Sequence, residues 1–196
     1  MKAPGKFIVL YGINNLGKST QAKLLVKRLA EAGKNVEYLK YPIYELPPTG
    51  PRINQLLRSH EQSLSEVEFQ RLYAQNRIDF QPALEQKLNR GTWLVAEDYT
   101  GTGIAWGLAK GAPLEILEQQ NSTIRMEDLA IWLDGRRFLE AREDVHLHET
   151  NDELMQRCRQ SHRELAERYG WKKINANHPI EKVAQDIWQI VKEMLS

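Results

Sequence analysis

Gly12-Ile13-Asn14-Asn15-Leu16-Gly17-Lys18-Ser19 has the spacing G-x-x-x-x-G-K-S, and Thr20 follows it. Glycines at such spacing let the backbone curl so that successive N–H groups face inward. A helix N-terminus behind them adds positive potential, and the whole forms a nest for phosphate oxygens. Within it, Lys18 is expected to stand exposed and to reach the β and γ phosphates of a nucleoside triphosphate. The Ser19 hydroxyl is the expected ligand for Mg²⁺. The loop implies binding of ATP or GTP and leaves the acceptor open. A nucleotide-hydrolysing switch or motor shares it, usually with an Asp after a hydrophobic strand for the metal. Asp134 stands at such a place, yet an Asp before Gly135 reads equally as a cap or turn residue.

The remaining chemistry-bearing residues are scattered. Tyr73 and Arg77 are four apart, hence on one face of a helix. Glu97 and Asp98 follow a short apolar run. His146 and His148 share a face only if extended. With no cysteine or third histidine nearby they fall short of the three or four ligands of a zinc site, so no transition metal is expected. Cys158 reads as a small apolar residue inside a helix.

These residues need a frame, and short apolar runs alternating with helical patterns supply one. Strands are expected at Phe7–Tyr11, Val36–Lys40, Trp93–Ala96, Leu129–Leu133 and Lys172–Asn175. Helices are expected over 18–32, 51–58, 102–110 and 113–120. A capping box of Ser63 with Glu66 opens a long helix to Arg90, which Pro82 should kink or split. Thr150 with Glu153 caps another helix to Tyr169, and Pro179 opens the last. Tyr41 to Pro51 holds four prolines and reads as a loop. Alternation of this kind gives a parallel sheet covered on both faces, with ligands at the carboxyl ends of its strands.

The chain's 196 residues suit one domain, 1–196, with a short lid over the charged segment 136–150. A net charge of +1 argues against binding nucleic acid by bulk charge. One cysteine excludes an intrachain disulfide and favours a reducing compartment. No apolar run reaches membrane length and the first residues lack a signal-peptide pattern, so a cytoplasmic protein without membrane contact is expected.

Four further stretches resemble one family. Lys40-Tyr41-Pro42 is similar to its aromatic-proline segment. Leu72-Tyr73-Ala74-Gln75-Asn76-Arg77 is similar to its nucleobase-binding helix. Glu97-Asp98-Tyr99-Thr100-Gly101-Thr102-Gly103-Ile104-Ala105-Trp106 resembles its Asp-Arg-Tyr motif and the following helix. Asp128 to Asp134 looks like its fourth strand. The family is thymidylate kinase, one of the P-loop nucleoside monophosphate kinases, and the resemblance covers nearly the whole chain.

The resemblance implies a three-layer α/β/α P-loop NTPase-type fold with a parallel five-stranded sheet. It implies transfer of the ATP γ-phosphate to dTMP, with Mg²⁺, in a homodimer acting on small-molecule nucleotides. Gly12, Asn14, Asn15, Leu16, Gly17, Lys18, Ser19 and Thr20 would hold ATP, and Ser19 and Glu97 the metal. Tyr41, Pro42, Tyr73, Arg77, Asp98, Tyr99, Thr102 and Trp106 would meet the acceptor. Tyr73 would stack on the pyrimidine while Arg77 donates to its carbonyl edge. Core packing of Tyr73 and Trp106 and a solvated Arg77 are the plainer readings. Lys18, Glu97 and the lid's Arg142 would serve catalysis.

Several positions depart from the family. Asp98 replaces an Arg expected to bind the acceptor phosphate, Asn14 replaces an Asp, and Ile43 and Tyr44 stand where an Arg is usual. Lys40, Arg52, Arg136, Arg137 and Arg142 are the candidate substitutes. Asp98 would either turn to a nearby cation or weaken acceptor binding. The alternatives are a diverged member with another acceptor, or a nucleotide-binding regulatory protein with little turnover.

Overall fold

The strands form where apolar side chains can be buried on both faces. β1 (Phe7–Tyr11), β3 (Trp93–Glu97) and β4 (Leu129–Asp134) are continuous apolar runs, the pattern of strands covered on two sides. β2 (Val36–Lys40) and β5 (Lys172–Asn175) carry more polar residues and lie at the edges. In the computed structural model, which describes residues 3–58, 64–138 and 152–195, all pairings are parallel and the order is β2-β3-β1-β4-β5. The expected sheet is observed.

Seven α-helices accompany the strands among the described residues: α1 (Lys18–Glu31), α2 (Thr49–Arg58), α3 (Glu66–Asn89), α4 (Thr100–Ala109), α5 (Leu114–Asn121), α6 (Asp152–Tyr169) and α7 (Ile180–Val191). α1 packs with α7, and α4 packs with both α3 and α6, so the sheet lies between two helical layers. Phe7 to Tyr11 are fully buried at its centre.

The cap expected for α3 needs correction, and Pro82 does not split the helix. Its capping box uses Ser65 and Glu68, because the helix begins at Glu66. The stretch Ser63-Leu64-Ser65-Glu66-Val67-Glu68 contains two overlapping S-x-x-E patterns, and Ser63 lies outside the described residues. Pro82 also lies inside an unbroken 24-residue helix. α2 begins two residues earlier than expected, at Thr49. Thr150, expected to cap α6, lies outside the described residues.

The strand register places the chemistry. Leu10 and Lys40 both pair with Glu97, and Tyr11 pairs with Trp132, so the carboxyl ends of four strands meet along one edge. Buried Asn76 of α3 ties the loop after β2 to this edge. Its carbonyl accepts from Ile43 N–H at 2.8 Å, and its amide donates to Ile43 O and Thr49 Oγ1, both at 3.0 Å. A buried amide with these bonds made can hold a loop at little cost, where an unpaired one would destabilise it.

Candidate functional site

The loop between β1 and α1 is held in its curl by left-handed residues. Asn15 has φ 61° and Gly17, the residue before α1, has φ 77°. Glycine takes that region without strain, and Asn is among the few side chains that tolerate it. Lys18 and Ser19 therefore open α1 with their side chains at the strand edge.

Lys18 is not exposed as the sequence suggested; only 7% of it is accessible. Its ammonium donates to Gly12 O at 2.9 Å and Ile13 O at 3.0 Å, and lies 3.6 Å from Asp98 Oδ1. The curl of the loop itself turns these carbonyls inward, which the motif's spacing does not reveal. Asp98, at φ 62°, also accepts from Thr102 Oγ1 at 2.9 Å. Burial raises the pKa of Asp98, and the Lys18 charge opposes that rise. Of the two fates open to Asp98, the structure has it paired with a cation, the loop's own lysine.

Glu97 sits next to this pair with three partners. Ser19 Oγ donates to its Oε2 at 2.6 Å, Tyr38 OH donates to Oε1 at 2.6 Å, and Lys40 Nζ lies 3.0 Å from Oε1. Burial pushes the Glu97 pKa up, but these hydrogen bonds and the Lys40 charge outweigh it, so the net shift is downward and the carboxylate form is favoured. Lys40, one of the candidate cations for the acceptor phosphate, is paired with this carboxylate. Asp134 instead binds Arg159 at 2.7 Å and Lys173 at 3.0 Å, so its charge is committed to an ion-pair cluster.

A cavity of about 370 Å³ runs from this loop to the face of α3. Asn14, Asn15, Gly17, Lys18, Ser19 and Thr20 line one end. Tyr41, Pro42, Glu97, Asp98, Tyr99 and Thr102 line the rest together with Tyr73, Arg77 and Trp106. Gly12 and Leu16 do not reach it: Leu16 is core, and Gly12 packs against Leu133 O. Arg142, His146 and His148 lie outside the described residues, as does most of the expected lid.

At the far end only the solvated reading of Arg77 fails, since Trp106 packs partly against the core. Arg77 is 96% buried and not solvated, and its Nη1 donates to Asn121 Oδ1 at 2.9 Å. Burial lowers its pKa, yet a guanidinium keeps its proton in any accessible pH range. Tyr73 is half-buried, with its ring edge-on to Phe69 at 5.0 Å. Trp106 is also half-buried on the cavity wall. Tyr99 packs in the core, and its hydroxyl donates to Arg125 O at 3.0 Å.

Sequence reasoning missed Tyr38, Gln70 and Lys110. Gln70 had a usable signal: 70, 73 and 77 share one helical face. Tyr38 had none, because its role comes from strand register. The basic groups of the cavity, among the described residues, are Lys18, Lys40, Arg77 and Lys110. Arg52, Arg136 and Arg137 do not line it, and Arg137 pairs with Asp152 at 2.6 Å. The described residues contain no cluster of three metal-ligating side chains and no helix long and apolar enough to cross a membrane.

Chemically, the arrangement puts the curled glycine loop and a hydroxyl–carboxylate pair at one end. An aromatic face and a buried guanidinium form the other. The family model for thymidylate kinase matches residues 10–187. The human thymidylate kinase is 30% identical over 191 residues, which is 93% of this chain and 88% of that protein. A probable thymidylate kinase of Pyrococcus abyssi is 31% identical over 97% of this chain and 98% of its own length. The solved thymidylate kinase of Candida albicans superposes with a TM-score of 0.81 at 23% identity, covering 98% of this chain and 93% of that one, a likeness of fold.

Proposed function

Because this chain belongs to the thymidylate kinase family, we propose that it transfers the γ-phosphate of ATP to dTMP, giving ADP and dTDP. It is a nucleoside monophosphate kinase, and ATP is the donor used by that family. One observation carries the reading of the site. A single cavity joins Lys18 and Ser19 to Tyr73 and Arg77, so donor phosphates and acceptor base can be held at its two ends with the reacting atoms between.

The loop N–H groups and Lys18 hold the β and γ phosphates. Lys18 gives up a carbonyl or the Asp98 carboxylate to do so, because an ammonium has three protons and three acceptors already surround it. An oxygen of the acceptor phosphate attacks the γ-phosphorus, and the bond to the β–γ bridging oxygen breaks. Positioning and charge supply the rate enhancement, since no side chain forms a covalent intermediate in such a transfer. Tyr73 stacks on the base and Arg77 donates to its carbonyl edge. Thr102 and Trp106 border the sugar end.

The donor set fits Mg²⁺. Ser19 Oγ and the Glu97 carboxylate would hold the ion through oxygen alone, the ligand type that Mg²⁺ prefers. When bound, the ion neutralises charge on the transferring phosphates. Asp98 places an anion where the family carries an Arg, and Lys18 is its partner. A homodimer belongs to the same reading and is supported by the family resemblance, and a cytoplasmic setting is supported by the single cysteine.

The test is a steady-state assay with ATP and a panel of dTMP, dUMP, dCMP and dGMP. The expected result is the highest kcat/KM for dTMP. ATP binding without turnover of any acceptor would overturn the reading in favour of a regulatory nucleotide-binding protein.

A further inference from the structure

Gln70 is a buried polar residue with half of its amide unpaired. Its side chain is 95% buried between α3 and α4, and it lines the cavity. The Nε2 group donates to Glu66 Oε1 at 2.6 Å. A carboxylate can only accept, so this bond fixes the amide orientation and turns Oε1 the other way. Glu66 is itself held, its Oε2 lying 3.1 Å from Lys110 Nζ. Oε1 has no hydrogen-bond partner. An orphaned buried acceptor is uncommon and calls for an explanation.

Its neighbour supplies one. A Cβ built on Gly103 would lie 2.5 Å from Arg77 Nη2 and 3.0 Å from Gln70 Oε1. The absence of a side chain at Gly103 therefore leaves a guanidinium donor and an amide acceptor side by side in one wall. Arg77 is fixed at its other nitrogen by Asn121, whose own amide donates to Leu117 O at 2.8 Å. Donor and acceptor are each anchored from behind.

We infer that Gln70 is a specificity-determining residue that, with Arg77, reads the imide edge of the acceptor base. Arg77 donates to the C4 carbonyl, and Gln70 Oε1 accepts from the adjacent N3–H. Thymine and uracil present that order of acceptor and donor. Cytosine presents the reverse, a 4-amino donor beside an unprotonated N3. It would face the guanidinium with a donor and the amide oxygen with a lone pair. The inference rests on the acceptor site proposed above.

The experiment measures binding of dTMP, N3-methyl-dTMP and dCMP to the wild type and to Gln70→Ala by calorimetry. For the wild type, N3-methylation and the change to cytosine should each weaken binding about ten- to a hundredfold, the cost of leaving buried partners unpaired. In Gln70→Ala, dTMP and N3-methyl-dTMP should bind within about threefold of each other, because the acceptor is gone. A purely structural role would lower all affinities in parallel and keep their ratios, which overturns the inference. If the variant fails to fold, the wild type still decides, since equal binding of dTMP and its N3-methyl form refutes a role for N3–H. Failure of the wild type to bind any of the three overturns the acceptor site itself. Turnover of dTMP with indifference to N3-methylation overturns only the role of Gln70.

Discussion

Lys18 Nζ lies 3.6 Å from Asp98 Oδ1, so the lysine of the phosphate loop is paired with the carboxylate that stands where the family has an arginine. Both sides of the cavity contribute to this contact, one from the start of α1 and the other from the residue just after β3. Lys18→Ala should lower kcat by about 10²–10³-fold or more, the scale of losing one preorganised charged donor. It should also destabilise the fold, because Asp98 is left buried without its cation. Turnover and thermal unfolding check both, and wild-type turnover would refute the assignment of the loop.

Asp98→Arg restores the family's residue type but removes the partner of Lys18 and adds a like charge. The expected outcome is a loss of both activity and stability. Breaking a largely buried pair costs about 3 kcal/mol, which for a chain of this length lowers Tm by about 6–12 °C. A rise in kcat/KM for dTMP with Tm unchanged would instead mean that a cation was simply missing.

Arg77→Ala should raise the acceptor KM about ten- to a hundredfold, the range for one charge-assisted hydrogen bond, and leave the ATP KM nearly unchanged. The spatial separation of the two ends of the cavity is the reason. Equal effects on both substrates would count against contact with the base.

Sequence alone made β1, β3 and β4 readable because each is mostly an apolar run, and the curled loop before α1 readable because its glycine spacing is set by backbone geometry. Lys18 shows the limit. Its identity was plain, but its burial depends on loop carbonyls and on Asp98, eighty residues away in sequence. Glu97 shows another: its contacts with Tyr38 and Lys40 follow from the register of β2 on β3. The misplaced cap of α3 arose from two overlapping patterns of equal local merit. Gln70 lay on the same helical face as Tyr73 and Arg77, so periodicity pointed at it, while its orphaned oxygen is visible only once α4 is packed alongside.

Acid sensitivity should come partly from His162. Its ring is fully buried, Nδ1–H donates to Cys158 O at 2.8 Å, and burial lowers its pKa to about 4. The unfolded chain takes up this proton near the ordinary value of 6.5, while the folded protein does not until about pH 4. Stability from this group is therefore full above 6.5 and is lost as pH falls toward 4, a total of about 3 kcal/mol. Glu97 and Asp134, whose pKa values are lowered, add a separate loss that begins near the ordinary carboxylate range, while Asp98 and Glu127, raised by burial, act in the opposite direction. Denaturant unfolding between pH 7 and 4 should show the His162 limb, and His162→Gln should flatten it. An unchanged limb in that variant would assign the sensitivity elsewhere.

The central claim is that the γ-phosphate of ATP passes to dTMP within this cavity. The most direct measurement follows γ-labelled ATP incubated with dTMP, Mg²⁺ and the purified chain, with products separated by chromatography. Label should appear in dTDP only when dTMP is present, and its rate of appearance should fall about 10²–10³-fold or more with Lys18→Ala. Label found only in inorganic phosphate, or retained in ATP while dTMP is unchanged, would contradict it.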